Sequence, residues 1–66
     1  MIRLALPLDE AVAFAMGWTD LGYREPTPAM RRLIGELAIQ GLQHAEHWWE
    51  AAMLTHCLET KWPCQK

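Results

Sequence analysis

Apolar residues recur every three or four positions through the second half of the chain. This spacing is typical of a helix with one apolar face, and it predicts an amphipathic helix over about residues 28–60. Thr27 and Pro28 mark its start, because a threonine hydroxyl accepts hydrogen bonds from free first-turn N–H groups and proline suits the first helical position. The apolar positions are Leu33, Ile34, Leu37, Ala38, Gly41, Leu42, Ala45, Trp48, Trp49, Ala52 and Met53.

A shorter helix is predicted over about residues 8–16. Asp9 and Glu10 suit the positive end of its dipole, and Gly17 suits the left-handed conformation that ends many helices. The next segment, residues 18–26, follows neither a helical nor an alternating period, so we expect a connecting loop. The side chains expected to hold this loop against the helices are Trp18, Leu21 and Tyr23.

These elements make an all-α protein with one domain over residues 1–66, built as a helical hairpin or a small bundle. An unbroken second helix would be about 50 Å long, more than the first helix can cover. A second copy of the chain would then bury the remainder, and a homodimer is expected. A bend near Gly41 would instead give a folded-back monomer of three helices, because glycine weakens a helix interior.

Small residues recur every seven positions along the second helix, and small side chains let two helices approach closely. This stripe predicts a helix–helix contact, either within the chain or between two copies. Beside it lie larger apolar side chains, which we expect to anchor a dimer or a protein partner. The stripe is Ala38, Ala45 and Ala52, and the anchors are Leu42, Trp48, Trp49 and Met53.

Charged residues are expected at the rim of this contact, at Arg31, Arg32, Glu46 and Glu50. The chain carries a formal charge of −2 with six Lys and Arg residues, a balance that disfavours nucleic acid as the main partner. A small DNA-binding regulator remains an alternative, because the spacing from Ala13 to Gly17 resembles the turn of a helix-turn-helix.

Three possible metal ligands, His44, His47 and Glu50, follow one another at three-residue steps. Imidazole and carboxylate groups on one edge of a helix can bind zinc or a similar metal. The spacing matches no specific metal motif, so we expect no metal and no cofactor. A metal-binding helical protein stays open as a further alternative.

The sequence offers no constellation for catalysis. His56 and Cys57 are adjacent and would diverge on a helix, and there is no glycine-rich phosphate loop or nucleophile elbow. A chain of 66 residues also leaves little volume for a substrate pocket. We therefore expect no enzyme activity.

A cytoplasmic location is expected. Asp9 and Glu10 interrupt the apolar N-terminal stretch, so it does not read as a secretory signal, and no apolar run approaches the ~20 residues that span a bilayer. Cys57 and Cys64 do not form the dense framework of small secreted domains, so reduced thiols are expected.

The residues from Asp9 to Trp18, which end in Met16-Gly17-Trp18, resemble the opening of small phage and prophage proteins of the phage ABA sandwich type. The resemblance covers residues 9–18. That family continues into a strand hairpin where this chain has Thr27-Pro28 and a helix, so neither fold nor functional residues are carried over. The resemblance implies an origin in a mobile element.

Together these observations predict a small non-enzymatic helical protein that acts by stoichiometric binding to a protein. Small phage proteins commonly bind and disable a host protein, so a phage or prophage accessory protein that inhibits or regulates its host is the expectation.

Overall fold

The computed structural model describes residues 7–63, which form three helices and no strand. They are α1 (Leu8–Met16), α2 (Pro28–His44) and α3 (Trp48–Lys61). The prediction of an all-helical fold that begins with a short helix is confirmed, and α1 has the predicted bounds.

The predicted long helix is interrupted by a turn at residues 45–47. Glu46 takes a left-handed backbone conformation with φ of +63°, and the His47 N–H donates to the Leu42 carbonyl oxygen at 2.8 Å. The predicted span over about residues 28–60 is therefore divided into two helices, and the break expected near Gly41 lies at residues 45–47, with Gly41 itself helical. Folding back is favourable because it lets both helices bury apolar residues against the short α1.

Local signals at two helix ends act as the sequence predicts. The Met30 N–H donates to the Thr27 hydroxyl at 3.1 Å, with Pro28 in the first helical position. Gly17 ends α1 with φ of +85°, and its N–H donates to the Phe14 carbonyl oxygen. Both ends satisfy backbone groups that a helix terminus leaves free.

Consecutive helices run antiparallel. Leu8 at the start of α1 lies against Gly41 near the end of α2, and Ala15 lies against Gly35. One end of the bundle therefore carries the α1 N-terminus and the α2–α3 turn, and the opposite end carries the α1–α2 loop and the α3 C-terminus. The buried core residues between the helices are Ala11, Phe14, Ala15, Ala38, Leu42, Ala51, Leu54 and Leu58.

Small residues bring the helices close together, most tightly at Gly35. A Cβ atom there would lie 2.7 Å from a Leu58 methyl carbon and 3.0 Å from the Ala15 Cβ, so only glycine fits without a shift. Such close approach keeps Leu58 almost wholly buried, and full burial of a leucine stabilises the fold by about 2 kcal/mol.

The seven-residue stripe does not form one surface, and this corrects the prediction. Ala38 lies in the core, whereas Ala45 is exposed in the turn and Ala52 is exposed on α3. The turn at residues 45–47 redirects the chain, so spacing along the sequence no longer places these alanines on one side of a helix. Leu42, expected as an exposed anchor, is also a core residue at 7% exposure.

None of the helices among residues 7–63 is both long and apolar enough to cross a membrane.

Candidate functional site

Helix α3 is apolar on two opposite sides. Its inward side carries Ala51, Leu54 and Leu58, which are buried against α1 and α2. Apolar residues also occupy the side that faces away from the other helices. A helix with apolar residues on both sides is typical of one that is covered on both sides.

The outer face of α3, as we define it, comprises Trp48, Trp49, Ala52 and Met53. Trp49 is 74% exposed, Trp48 is 61% exposed and Met53 is 53% exposed. Residues four apart lie next to each other along a helix, so Trp48 adjoins Ala52 and Trp49 adjoins Met53. The structure thus brings three of the four predicted anchors and one alanine of the predicted stripe onto one exposed surface.

Acidic and imidazole side chains border this outer face. Glu46 is exposed in the turn, and His47 Nδ1 lies 2.8 Å from Glu50 Oε2 in the first turn of α3. Two of the three metal candidates therefore contact each other. Within residues 7–63, no group of three His, Cys, Asp or Glu side chains is arranged to hold a metal ion.

Among residues 7–63, the exposed Lys and Arg side chains lie away from this surface. Arg24 is in the α1–α2 loop and Lys61 ends α3, both at the opposite end of the bundle. The antiparallel packing of α1 and α2 places Asp9 and Glu10, both exposed, at the same end of the bundle as Glu46 and Glu50. Within residues 7–63, the end that carries Trp48 and Trp49 is consequently acidic.

Arg31 is buried, which corrects its predicted place on the rim. Its Nη1 donates to the carbonyl oxygens of Phe14 at 2.6 Å and Thr19 at 3.1 Å, and its Nη2 donates to Asp20 Oδ1 at 3.0 Å. The guanidinium carbon also lies 4.8 Å from the centre of the Phe14 ring, a cation–π distance. The side chain therefore ties the α1–α2 loop to the start of α2.

Arg32 is also part of the fold, and its predicted rim position is likewise corrected. It is half-buried, it pairs with Glu36 at 3.2 Å and Glu59 at 3.0 Å, and it donates to the Trp62 carbonyl oxygen at 2.8 Å. The Trp62 indole N–H donates to the Ala15 carbonyl oxygen at 2.7 Å. These contacts join the end of α3 to α1 and α2.

An open groove of about 580 Å³ lies at the end of the bundle around Trp62, beside the exposed Leu33. Its cationic side chain, Arg32, already engages the carboxylates of Glu36 and Glu59. These ion pairs offset the positive charge that Arg32 could present to a ligand in the groove. The outer face of α3 is therefore the stronger candidate for a binding site. The groove is lined by Thr27, Pro28, Ala29, Arg32, Leu33, Glu36, Trp62 and Pro63.

Two of the three side chains expected to hold the loop lie against the fold: the Tyr23 ring is tilted against the Phe14 ring at 5.7 Å, and Leu21 is half-buried. Trp18 is instead 72% exposed, and the contact that the sequence did not predict is that of the buried Arg31. No sequence motif identifies a buried arginine. Arg31 does lie on the same side of α2 as Gly35 and Ala38, and this position could have indicated that it is buried. Cys57 is a free, half-buried thiol, and Cys64 lies outside the described residues.

The outer face of α3 combines exposed aromatic side chains with an acidic border, a chemistry suited to contact with another macromolecule. What it contacts must be inferred from these side chains themselves. No protein-family model, curated protein or solved structure matches this chain.

Proposed function

We propose that this protein acts by stoichiometric binding to another protein through the outer face of α3, and that binding regulates or inhibits the partner. The observation that carries the proposal is the exposure of Trp48, Trp49 and Met53 together on a helix whose other side is in the core. Tryptophan and methionine are enriched at protein interfaces, and tryptophan supplies much of the binding free energy there.

The energetic argument rests on the size of these side chains. Tryptophan buries about 150–250 Å² when it is covered, so two neighbouring exposed tryptophans keep a large apolar area in water. Contiguous exposed apolar surface on a small domain is typical of an interaction site. Covering this surface would yield favourable free energy that the folded chain alone leaves unused.

The role proposed here needs no catalytic group. His56 is exposed on α3, whereas the adjacent Cys57 is half-buried. The resemblance of residues 9–18 to phage proteins supports an accessory role in a phage or prophage, acting in the cytoplasm on a host protein.

Nucleic acid is a weaker alternative on the basis of the contacts of the arginines. Arg31 and Arg32, the two adjacent cations near the start of α2, are engaged within the fold and are therefore not available to phosphate groups. Among residues 7–63 the exposed cations are then Arg24 and Lys61. Two separated cations provide little of the electrostatic attraction on which DNA binding depends.

A homodimer that uses the outer face of α3 would be a second form of the same protein-binding function.

Site-specific photo-crosslinking tests the proposal. A photoreactive phenylalanine analogue replaces Trp49 in a chain expressed in bacteria, and the matched control carries it at Gln40, an exposed position on α2. We expect one predominant adduct of one chain with one partner from position 49 and none from position 40. Adducts of equal yield from both positions, or none from position 49, would contradict the proposal.

A further inference from the structure

The border of the outer face of α3 specifies the chemistry of what covers it. We infer that the partner presents an amphipathic helix with apolar residues on one side and Lys or Arg residues beside them. This inference rests on the proposed function, because it assumes that a protein covers Trp48, Trp49 and Met53.

Charge is the first argument. Asp9, Glu10, Glu46 and Glu50 are exposed at the end of the bundle that carries Trp48 and Trp49. Among residues 7–63, the exposed Lys and Arg residues are Arg24 and Lys61, and both lie at the opposite end. An acidic border attracts a basic partner during encounter and repels acidic ones. Glu46 and Glu50 each lie two residues from Trp48 along the chain, and the His47 contact engages one carboxylate oxygen of Glu50.

Shape is the second argument, and it favours a helix. The pairs Trp48–Ala52 and Trp49–Met53 form two ridges of residues four apart, with a groove between them. Ridges of this kind accept the side chains of another helix, and the small Ala52 leaves room for one beside Trp48. The surface is the side of a helix and is not an open sheet edge, so an added strand would find no backbone groups to pair with.

A second copy of the chain fits the border less well than a basic partner. Its outer face carries the same acidic residues, so a two-fold contact centred near the tryptophans brings Glu46 and Glu50 toward their own copies. An antiparallel contact along all of α3 brings Lys61 toward Glu50, but Glu59 accompanies it. Like charges across an interface are unfavourable, so the second copy becomes an outcome of the test.

The first step of the test compares two peptides of matched length and opposite charge. One is a fluorescein-labelled amphipathic helix of Leu and Lys, and the other has Glu at every Lys position. Fluorescence anisotropy of each peptide is followed as the chain is added. We expect saturable binding of the Lys peptide that weakens as salt rises, and binding of the Glu peptide that is weaker by about tenfold or more.

Variants then assign the binding to the outer face of α3. The double variant Trp48→Ala/Trp49→Ala should weaken Lys-peptide binding by about tenfold or more, whereas Leu33→Ala, an exposed apolar residue on α2, should leave it unchanged. Circular dichroism establishes that each variant is folded. Equal affinity of the wild-type chain and the double tryptophan variant would overturn the inference.

Charge reversal provides the matched electrostatic control. Glu46→Lys and Glu25→Lys change the net charge equally, but Glu25 lies in the loop at the opposite end of the bundle. We expect Glu46→Lys to weaken binding of the Lys peptide several-fold more than Glu25→Lys does, because Coulomb attraction falls with distance. Equal effects would show that only net charge matters and would overturn the inference.

The remaining outcomes separate this inference from the proposed function. Equal binding of both peptides, lost in the double tryptophan variant, would overturn the charge requirement and leave protein binding by the outer face of α3 in place. Wild-type chain that is dimeric, with the dimer lost in the double tryptophan variant, would make a second copy the occupant. If neither peptide binds and photo-crosslinking at position 49 also gives no adduct, the proposed function fails as well.

Discussion

Two tryptophans near the two ends of α3 have opposite roles. Trp62 follows the helix and donates its indole N–H to the Ala15 carbonyl oxygen, and the centre of its ring lies 5.8 Å from the Arg31 guanidinium carbon. Trp49, in the first turn, is 74% exposed. The end of the bundle around Trp62 is held by a network of hydrogen bonds and ion pairs, whereas the end around Trp49 leaves apolar surface in water. One end therefore maintains the fold, and the other carries the exposed surface through which we propose that the protein binds its partner.

The largest expected effect is on the Arg31 network. Arg31→Ala removes three side-chain hydrogen bonds and leaves the Phe14 carbonyl oxygen without this donor, so we expect a loss of about 3 kcal/mol in the free energy of unfolding. Urea unfolding followed by circular dichroism measures it. Arg24→Ala, at an exposed loop position, is the control and should stay within about 0.5 kcal/mol of wild type. Equal effects of the two substitutions would show that the network does not hold this end together.

The two tryptophans can be compared directly by the same substitution. Trp62→Phe keeps an aromatic ring but removes the indole N–H that donates at 2.7 Å to Ala15, so we expect a destabilisation of about 1–2 kcal/mol. Trp49→Phe should leave stability within about 0.5 kcal/mol, since the ring is mostly in water. Thermal unfolding of both variants measures the difference. A reversed order of stability would remove the distinction between the two ends.

Two glycines of α2 test how closely the helices approach. Gly35→Ala should destabilise the fold by about 1 kcal/mol, because overlap with the buried Leu58 methyl groups outweighs the gain in helix propensity. Gly41→Ala is the matched change on the same helix, nearer the end that carries Trp48 and Trp49. Its new Cβ would meet Leu8, which is half-buried and has more room to adjust, so an effect near zero or a small stabilisation is expected. A larger loss in the free energy of unfolding for Gly41→Ala than for Gly35→Ala, measured by chemical unfolding, would contradict this packing.

The smallest expected effect is a gain in stability at the turn between α2 and α3. Glu46→Gly should raise the free energy of unfolding by about 0.5–1 kcal/mol, because glycine adopts a φ of +63° without the steric cost that glutamate pays. Gln43→Gly, an exposed position within α2, should instead lower it by about 0.8 kcal/mol. Differential scanning calorimetry resolves the opposite signs. Destabilisation by both changes would argue against the turn at residues 45–47.

The parts of the fold that depend on neighbouring residues could be predicted from the sequence. The bounds of α1 and the start of α2 follow from Gly17, Thr27 and Pro28, whose preferences act within one helical turn. The turn at residues 45–47 could not be placed, because it contains no glycine or proline and Glu46 takes an unfavourable conformation. Packing of α2 and α3 against α1 imposes this conformation, and packing is not a local property.

The candidate site was predictable to a similar extent. The sequence predicted Trp48, Trp49 and Met53 as anchors at a dimer or partner surface, and the structure exposes all three. It did not separate them from Leu42, because Leu42 and Trp49 are seven residues apart and would share one side of a continuous helix, whereas the turn at residues 45–47 places them in different helices. Arg31 was placed on the surface because no residue near it in the sequence indicates a buried partner. Its acceptors belong to α1 and the loop, more than ten residues away in sequence.

The central claim is that a single chain buries its core alone and leaves the outer face of α3 open for a protein partner. Light scattering across a dilution series in reducing buffer tests it most directly. The account predicts a mass near 7.6 kDa at every concentration, the value for one chain. A stable mass of twice that value that persists on dilution, and that falls to the mass of one chain in the Trp48→Ala/Trp49→Ala variant, would contradict it, because a second copy would already cover this face.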